Sequence, residues 1–311
     1  MSGNFMSYQD ADALVTKIAQ KISDKGGSKI ITCKVAPTYN PDTWVAKAWN
    51  GFPDAFIMYG NATWTDGKNI YYSEVNLRDQ EDPPKHYVLN KATGTWSTKA
   101  WTGLSRFHGS NIWTDGENIY YSYGTDQYVL DKATSTWNPK TWNGLTDFDG
   151  QYIWTDGSNI YFSAGNNQYV LDKSTSTWSA KTWNGYTTNI NGDQVWTDGT
   201  NIYYSRGSTQ YVLDKSTSTW SAKTWNDLTS FYGTGIWTDG TNIYYSRGST
   251  QYVLDKSTST WSVKTWSGLD NSIYLIGENI WTDGENIYFS SYSSLGSDGC
   301  NLILTKLVVK T

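Results

Sequence analysis

Along most of the chain, aromatic and β-branched residues alternate with polar ones over short stretches, and the stretches are separated by Asp-Gly or Ser-Thr clusters. A period of two bounded by turn residues predicts strands, and no apolar run at helical spacing intervenes after residue 30. Ile112 to Thr114 and Ile119 to Ser122 flank Asp115-Gly116. They predict an antiparallel hairpin, because the turn needs a positive φ that Gly adopts without steric cost. The tetrapeptide Trp-Thr-Asp-Gly occurs six times, starting at Trp64, Trp113, Trp154, Trp196, Trp237 and Trp281, and each copy is soon followed by Asn-Ile-Tyr and an aromatic. The spacings of 49, 41, 42, 41 and 44 residues match a repeat built as one blade of a propeller.

A second motif supplies two more strands per repeat. Gln168 to Lys173 reads as a strand, Ser174 to Ser176 as a turn, and Thr177 to Trp183, carrying Thr-Trp-x-x-Lys-x-Trp, as the next strand. Four short strands in about 42 residues make a blade. From about Thr43 onward the chain resembles the Kelch repeat, through its Ile-Tyr strand, Tyr-x-x-Asp strand and Thr-x-x-Trp turn. It departs from that pattern where the usual Gly-Gly is Tyr-Ser or Phe-Ser. The resemblance implies a propeller and leaves function open, since such propellers serve as binding modules, scaffolds and enzyme frames.

The first three strands of a blade occur six times, ending with Ile280 to Thr282, Asn286 to Ser290 and Leu302 to Lys306. The fourth also occurs six times, but its first copy, Thr43 to Trp49, precedes every Trp-Thr-Asp-Gly. The expected fold is therefore all-β: a six-bladed β-propeller of four-stranded blades closed by an N-terminal strand, which removes an open sheet edge. Residues 1–29 are expected to be a separate N-terminal α-helix or anchor segment, and residues 30–311 the propeller. Ser7 to Asp10 resembles a capping box, Leu14, Val15, Ile18 and Ile22 recur at helical spacing, and Gly26-Gly27 ends the run. So short a helix must dock, on the propeller, on another copy or on a larger assembly. A short helix ahead of a repetitive aromatic β-domain loosely resembles the virion-anchor arrangement of bacteriophage tail and receptor-binding proteins.

The net charge of −5 and only 24 Lys and Arg, spread round the ring, argue against a nucleic-acid partner. Neither a signal peptide nor a membrane span is expected, so the chain is placed in a virion, or in the cytoplasm or exported non-classically to a surface. Cys33 and Cys300 make no disulfide framework, although both lie near strands of the closing blade; free thiols and one bridge are the alternatives.

All 18 Trp fall on three repeated positions. Burying each ring removes roughly 150 to 250 Å² from water, about 4 to 6 kcal/mol as an upper bound, so inter-blade packing explains them. An alternative is that Trp49, Trp101, Trp142, Trp183, Trp225 and Trp266 stack on sugars in repeated aromatic pockets. The Asp of Thr-Asp-Gly (Asp66, Asp115, Asp156, Asp198, Asp239, Asp283) is explained by the turn, and neither metal nor cofactor is expected. The other Asp set, Asp131, Asp172, Asp214 and Asp255, becomes Asn90 and Thr305 in two repeats and is read as bonding the Ser-Thr turn.

The repeats disagree where strand four leads to the next strand one, and where strand two leads to strand three. Both sets of loops emerge on one face of an up-and-down blade, and loops on a rigid scaffold carry binding. The expected ligand-binding residues there are Arg106, Phe107, His108, Asp147, Phe148, Arg206, Tyr232, Arg247 and Tyr274, for a glycan or cell-surface receptor. No nucleophile–base spacing or phosphate-binding Gly loop is present, so no enzyme is expected; Asp147, Asp149, Asp193 and Asp270 are the carboxylates a glycoside hydrolase would have to use. A Kelch-like protein-interaction scaffold is the alternative function.

Overall fold

A computed structural model describes residues 43–47, 49–52, 58–75, 84–186, 189–269, 274–291 and 300–305. The helix expected within residues 1–29, together with Cys33 and Asp270, lies outside the described residues. Every regular element described is a β-strand or a single-turn 3-10 helix. Six antiparallel sheets, each built on a run of four neighbouring strands, form a β-propeller. In the third, Ile153–Thr155, Ile160–Ala164, Asn167–Asp172 and Thr177–Ala180 pair in sequence order, with Trp154 opposite Tyr161, Tyr161 opposite Val170 and Val170 opposite Ser179. No described helix is long and apolar enough to cross a membrane.

The N-terminal strand Thr43–Ala46 pairs with Cys300–Thr305, Thr43 opposite Thr305 and Ala46 opposite Leu302, as the outer strand of the last blade. Trp44 on that strand is 1% exposed. The closure is therefore held by packing as well as by backbone bonds. Two boundaries differ from the sequence expectation. The fourth strand stops at Ala180, and Trp183 follows it as an irregular residue stacked on Trp154 of its own blade and edge-on to Trp220 of the next. In the last blade the second strand begins at Ile287, so Asn286 belongs to the turn.

Blades are joined by two seams. Near the axis, a 3-10 turn precedes each first strand (Gly60–Ala62, Gly109–Asn111, Gly150–Tyr152, Gly192–Gln194, Gly233–Gly235, Gly277–Asn279). Each opening Gly abuts the backbone of the preceding turn: a Cβ on Gly192 would lie 1.9 Å from the Tyr152 carbonyl oxygen, and one on Gly60 would lie 1.9 Å from that of Asn279, so the ring closes on itself. At the rim, the residue after the second Trp of each outer strand makes a parallel bridge to the next outer strand: Asn50 to Thr95, Thr102 to Thr136, Asn143 to Thr177, Asn184 to Thr219, Asn226 to Thr260 and Ser267 to Thr43. The core lies between blades. Trp113, Tyr120 and Trp142 of the second pack with Ile160 and Trp178 of the third and with Phe148 from the loop between them, and the other seams repeat this arrangement.

Candidate functional site

The face carrying the Asp-Gly turns is built from one unit used six times. In Asp156-Gly157-Ser158-Asn159, Asp156 Oδ1 accepts the Ser158 and Asn159 backbone N–H groups at 2.8 Å each, and Oδ2 accepts the Tyr161 hydroxyl at 2.9 Å. Gly157 holds φ at +95°. Burial pushes this carboxyl up, but the bonds from Asn159, Ser158 and Tyr161 together outweigh it and hold the group below its ordinary value. Asp66 and Asp115 behave alike. The second Asp set caps the Ser-Thr turns as expected; Asp172 accepts from Ser174 and Thr175. These residues are spent on local structure.

Five of the six alternative aromatic pockets are closed. Trp142 is stacked on Trp113 at 5.6 Å, while Lys140 Nζ sits 4.6 Å from the Trp142 ring centroid and donates to Ser176 Oγ in the next blade at 2.8 Å. Trp101, Trp183, Trp225 and Trp266 repeat this packing, each between a first-strand Trp and a Lys. Trp49 lies 5.6 Å from Trp281, with Lys47 above it. At the five buried positions a sugar ring has no open indole face to stack on, and Trp49 is half-buried. The indole N–H of each first-strand Trp donates to a buried Ser, as Trp154 does to Ser163 at 2.8 Å. In the outer-strand Trp residues other than Trp142 that group is buried without an oxygen or nitrogen acceptor, in steep contact with neighbouring rings such as Trp183 and Trp220 at 68°, where the electron-rich ring face is the remaining partner.

The opposite face brings the two variable loop sets together. The Phe148 N–H donates to the Gly124 carbonyl and Asp149 Oδ1 accepts the Gly124 N–H at 2.9 Å; Asn191 Oδ1 accepts the Gly165 N–H at 2.8 Å in the next repeat. In the later blades the loop becomes a short strand, with Arg206 opposite Tyr232 and Arg247 opposite Ile276. Gln168, at a position occupied by Gln127, Gln210 and Gln251 elsewhere, donates to the Gly165 and Ile190 carbonyls, tying both loops to the third strand. Sequence reasoning missed these Gln residues. Their recurrence in Gln-Tyr-Val-Leu-Asp, with His86 in the first blade, was the available signal.

Two expected contact residues are corrected. Phe107 and Phe148 are 0% and 3% exposed, because they sit six residues before the first-strand Trp, a position filled elsewhere by Met58, Ile190, Phe231 and Leu275, all buried core residues. Local polarity places them in a solvated loop; in fact this loop's last turn dips into the core. His108 is half-buried and caps its 3-10 turn, Nδ1 accepting from the Ser110 N–H. Arg106 is half-buried, and Asp147 is exposed.

Arg206, Tyr232, Arg247 and Tyr274 are the expected residues that the fold gathers. The Arg247 guanidinium lies 4.6 Å from the Tyr232 ring centroid, and the Tyr245 and Tyr232 hydroxyls beside it raise its pKa further. Arg206 pairs across from Tyr232. Both arginines are exposed, and Tyr274 is 59% exposed beside Gly248. Toward the axis stands Glu278, its carboxyl pushed up by burial and by Asp193 and drawn back by Arg247. Among the described residues, no three His, Cys, Asp or Glu side chains converge as a metal site would require. No protein-family model matches the chain, and no curated protein matches it.

Proposed function

We propose that the protein is a non-enzymatic recognition module, a glycan- or receptor-binding protein of a phage particle or bacterial surface, and that it binds through the loop face. The observation that carries this reading is the contrast between faces. One consists of repeated turns whose polar groups are satisfied internally; the other presents different residues at equivalent positions, with Arg247 laid on Tyr232. Arg and Tyr are the residue types that dominate binding energy at interfaces. Two of the four carboxylates considered for a hydrolase are engaged in other ways: Asp149 holds the Gly124 N–H and Asp193 faces Glu278.

The test is binding of the intact chain to a glycan array and to whole bacterial cells, repeated with alanine at Arg106, Asp147, Arg206, Tyr232, Arg247 and Tyr274. At least two of these should lose more than about 1 kcal/mol of affinity with melting unchanged. No binding to any glycan or cell, or binding that survives every substitution, would remove the proposal.

A further inference from the structure

The fourth and fifth blades are nearly one sequence used twice. Residues 196–226 and 237–267 differ only at Ala222/Val263 and Asn226/Ser267. Arg206 and Arg247 therefore occupy the same place in adjacent blades, at the loop-face end of the strands Ile202–Gly207 and Ile243–Gly248. That position is Glu74, Tyr123 and Ala164 in the first three blades, so the paired arginines mark one sector. Each arginine stands two residues beyond a tyrosine of its own strand, Tyr204 and Tyr245, and so on the same side of it; Arg206 also pairs across from Tyr232, and Arg247 lies 4.6 Å from the Tyr232 ring. Such placement lowers the ordering cost of an exposed, flexible cation and leaves its N–H donors toward solvent. A guanidinium fork matches a carboxylate, and the adjoining Tyr232 and Tyr274 rings offer apolar faces of the kind a sugar ring covers.

Two identical cationic points, one blade apart, complement a ligand that carries the same anionic group at regular intervals. Few folded protein surfaces carry such a repeat; an acidic polysaccharide carries it in every repeating unit. Resting on the recognition role proposed above, we infer that the Arg206–Arg247 sector binds an acidic polysaccharide, with one sugar carboxylate at each arginine and a sugar ring against Tyr232 or Tyr274. The chain as a whole is acidic, with a net charge of −5. Attraction is therefore local to this sector, and it gains from two-point attachment.

The experiment uses the full chain and a panel of carboxylated bacterial and plant polysaccharides, each paired with its carboxyl-reduced form and with its constituent uronic acid monomer. Carboxylated polymers should bind, carboxyl reduction should lower affinity at least tenfold, and the monomer should bind far more weakly than the polymer. R206M and R247M should each lower polymer affinity about tenfold and the double variant should abolish it, with R206K and R247K intermediate. Melting curves of the variants should overlay that of the parent, since both side chains are exposed. Polymers that bind equally well after carboxyl reduction, or an R206M/R247M chain that still binds, would overturn the inference while leaving a recognition role elsewhere on the loop face. A chain that binds neither these polymers nor neutral glycans nor cells would overturn both.

Discussion

The repeated seams and turns and the individual loop face use the same residue types for opposite ends. On the turn face Asp156 is 9% exposed and accepts hydrogen bonds from Ser158, Asn159 and Tyr161. On the loop face Asp147 is exposed. Lys140 spans to the next blade over Trp142, whereas Arg247 lies on Tyr232 at the surface. Where the repeat is constant, polar groups are used up in holding it constant; where it varies, they are presented. Stability and recognition should therefore respond to different substitutions.

The largest effect is expected at the axial seam. Gly192 has no positive φ, so its backbone tolerates alanine; the obstacle is the Tyr152 carbonyl oxygen, 1.9 Å from the added Cβ, in a ring that cannot widen at one place. Gly192→Ala should cost more than about 4 kcal/mol, or abolish cooperative urea unfolding. Gly207→Ala, with φ +61° and only the Tyr232 hydroxyl at 3.9 Å, should cost about 1 kcal/mol. Equal costs would show that the ring adapts and that the seam is not the constraint.

Next comes the turn carboxylate. Asp156→Ala leaves the Ser158 and Asn159 N–H groups and the Tyr161 hydroxyl without their acceptor, in a partly buried setting. We expect a loss of about 2 to 3 kcal/mol in denaturant unfolding, with binding at the loop face retained. Loss of binding at unchanged stability would move recognition onto the turn face and undo the division between the two.

The strand pattern, the turn chemistry and the closing strand were legible because each is local: alternation, Asp-Gly and the displaced first copy of Thr-Trp-x-x-Lys-x-Trp can all be counted. The seams were not. Gly60 meets Asn279 of another blade, and no local pattern reports contact across more than 200 residues. Nor could local polarity show that Phe107 and Phe148 leave their loops for the core. Of the expected site, the Arg–Tyr sector is assembled by pairing between Arg206 and Tyr232, which the identity of residues 196–226 and 237–267 only hinted at.

A smaller, pH-dependent effect separates two neighbours in the first blade. Burial pulls the His86 pKa down to about 4, against its bond to the Ser105 carbonyl, so the folded protein keeps it neutral. The unfolded chain protonates near 6.5, so this contribution is complete above pH 6.5 and is lost as pH falls toward 4. Burial pushes Glu74 up to about 7, with Lys85 opposing. Folded Glu74 holds its proton where the unfolded chain has lost it, so that contribution is complete below about pH 4.5 and is lost as pH rises through 7. The two slopes oppose each other between pH 4.5 and 6.5. His86→Gln, which restores the residue of the other repeats, should flatten the acid side of a melting-temperature profile. Glu74→Gln should steepen the acid side and raise stability at pH 8. Profiles of the two variants that run parallel to the parent would show that neither group is protonated as its surroundings imply.

The smallest expected effect tests whether the rim seam is uniform for backbone reasons alone. After the second Trp of the outer strand, five blades place Gly51, Gly103, Gly144, Gly185 and Gly268 at φ between +77° and +90°, and the fifth copy in chain order places Asp227 at +66°. Left-handed backbone costs a residue with a Cβ about 1 kcal/mol, somewhat less for Asp. Asp227 is exposed, so little packing is at stake. Asp227→Gly should therefore stabilise the protein by about 0.5 kcal/mol, the relief of strain being partly offset by greater freedom in the unfolded chain, and Asp227→Ala should destabilise it by a similar amount. Both are read as shifts of the urea midpoint at constant slope. If glycine destabilises instead, the Asp227 side chain contributes a contact that the other copies lack. That residue would then belong with the individual parts of the molecule and not with its repeated seam.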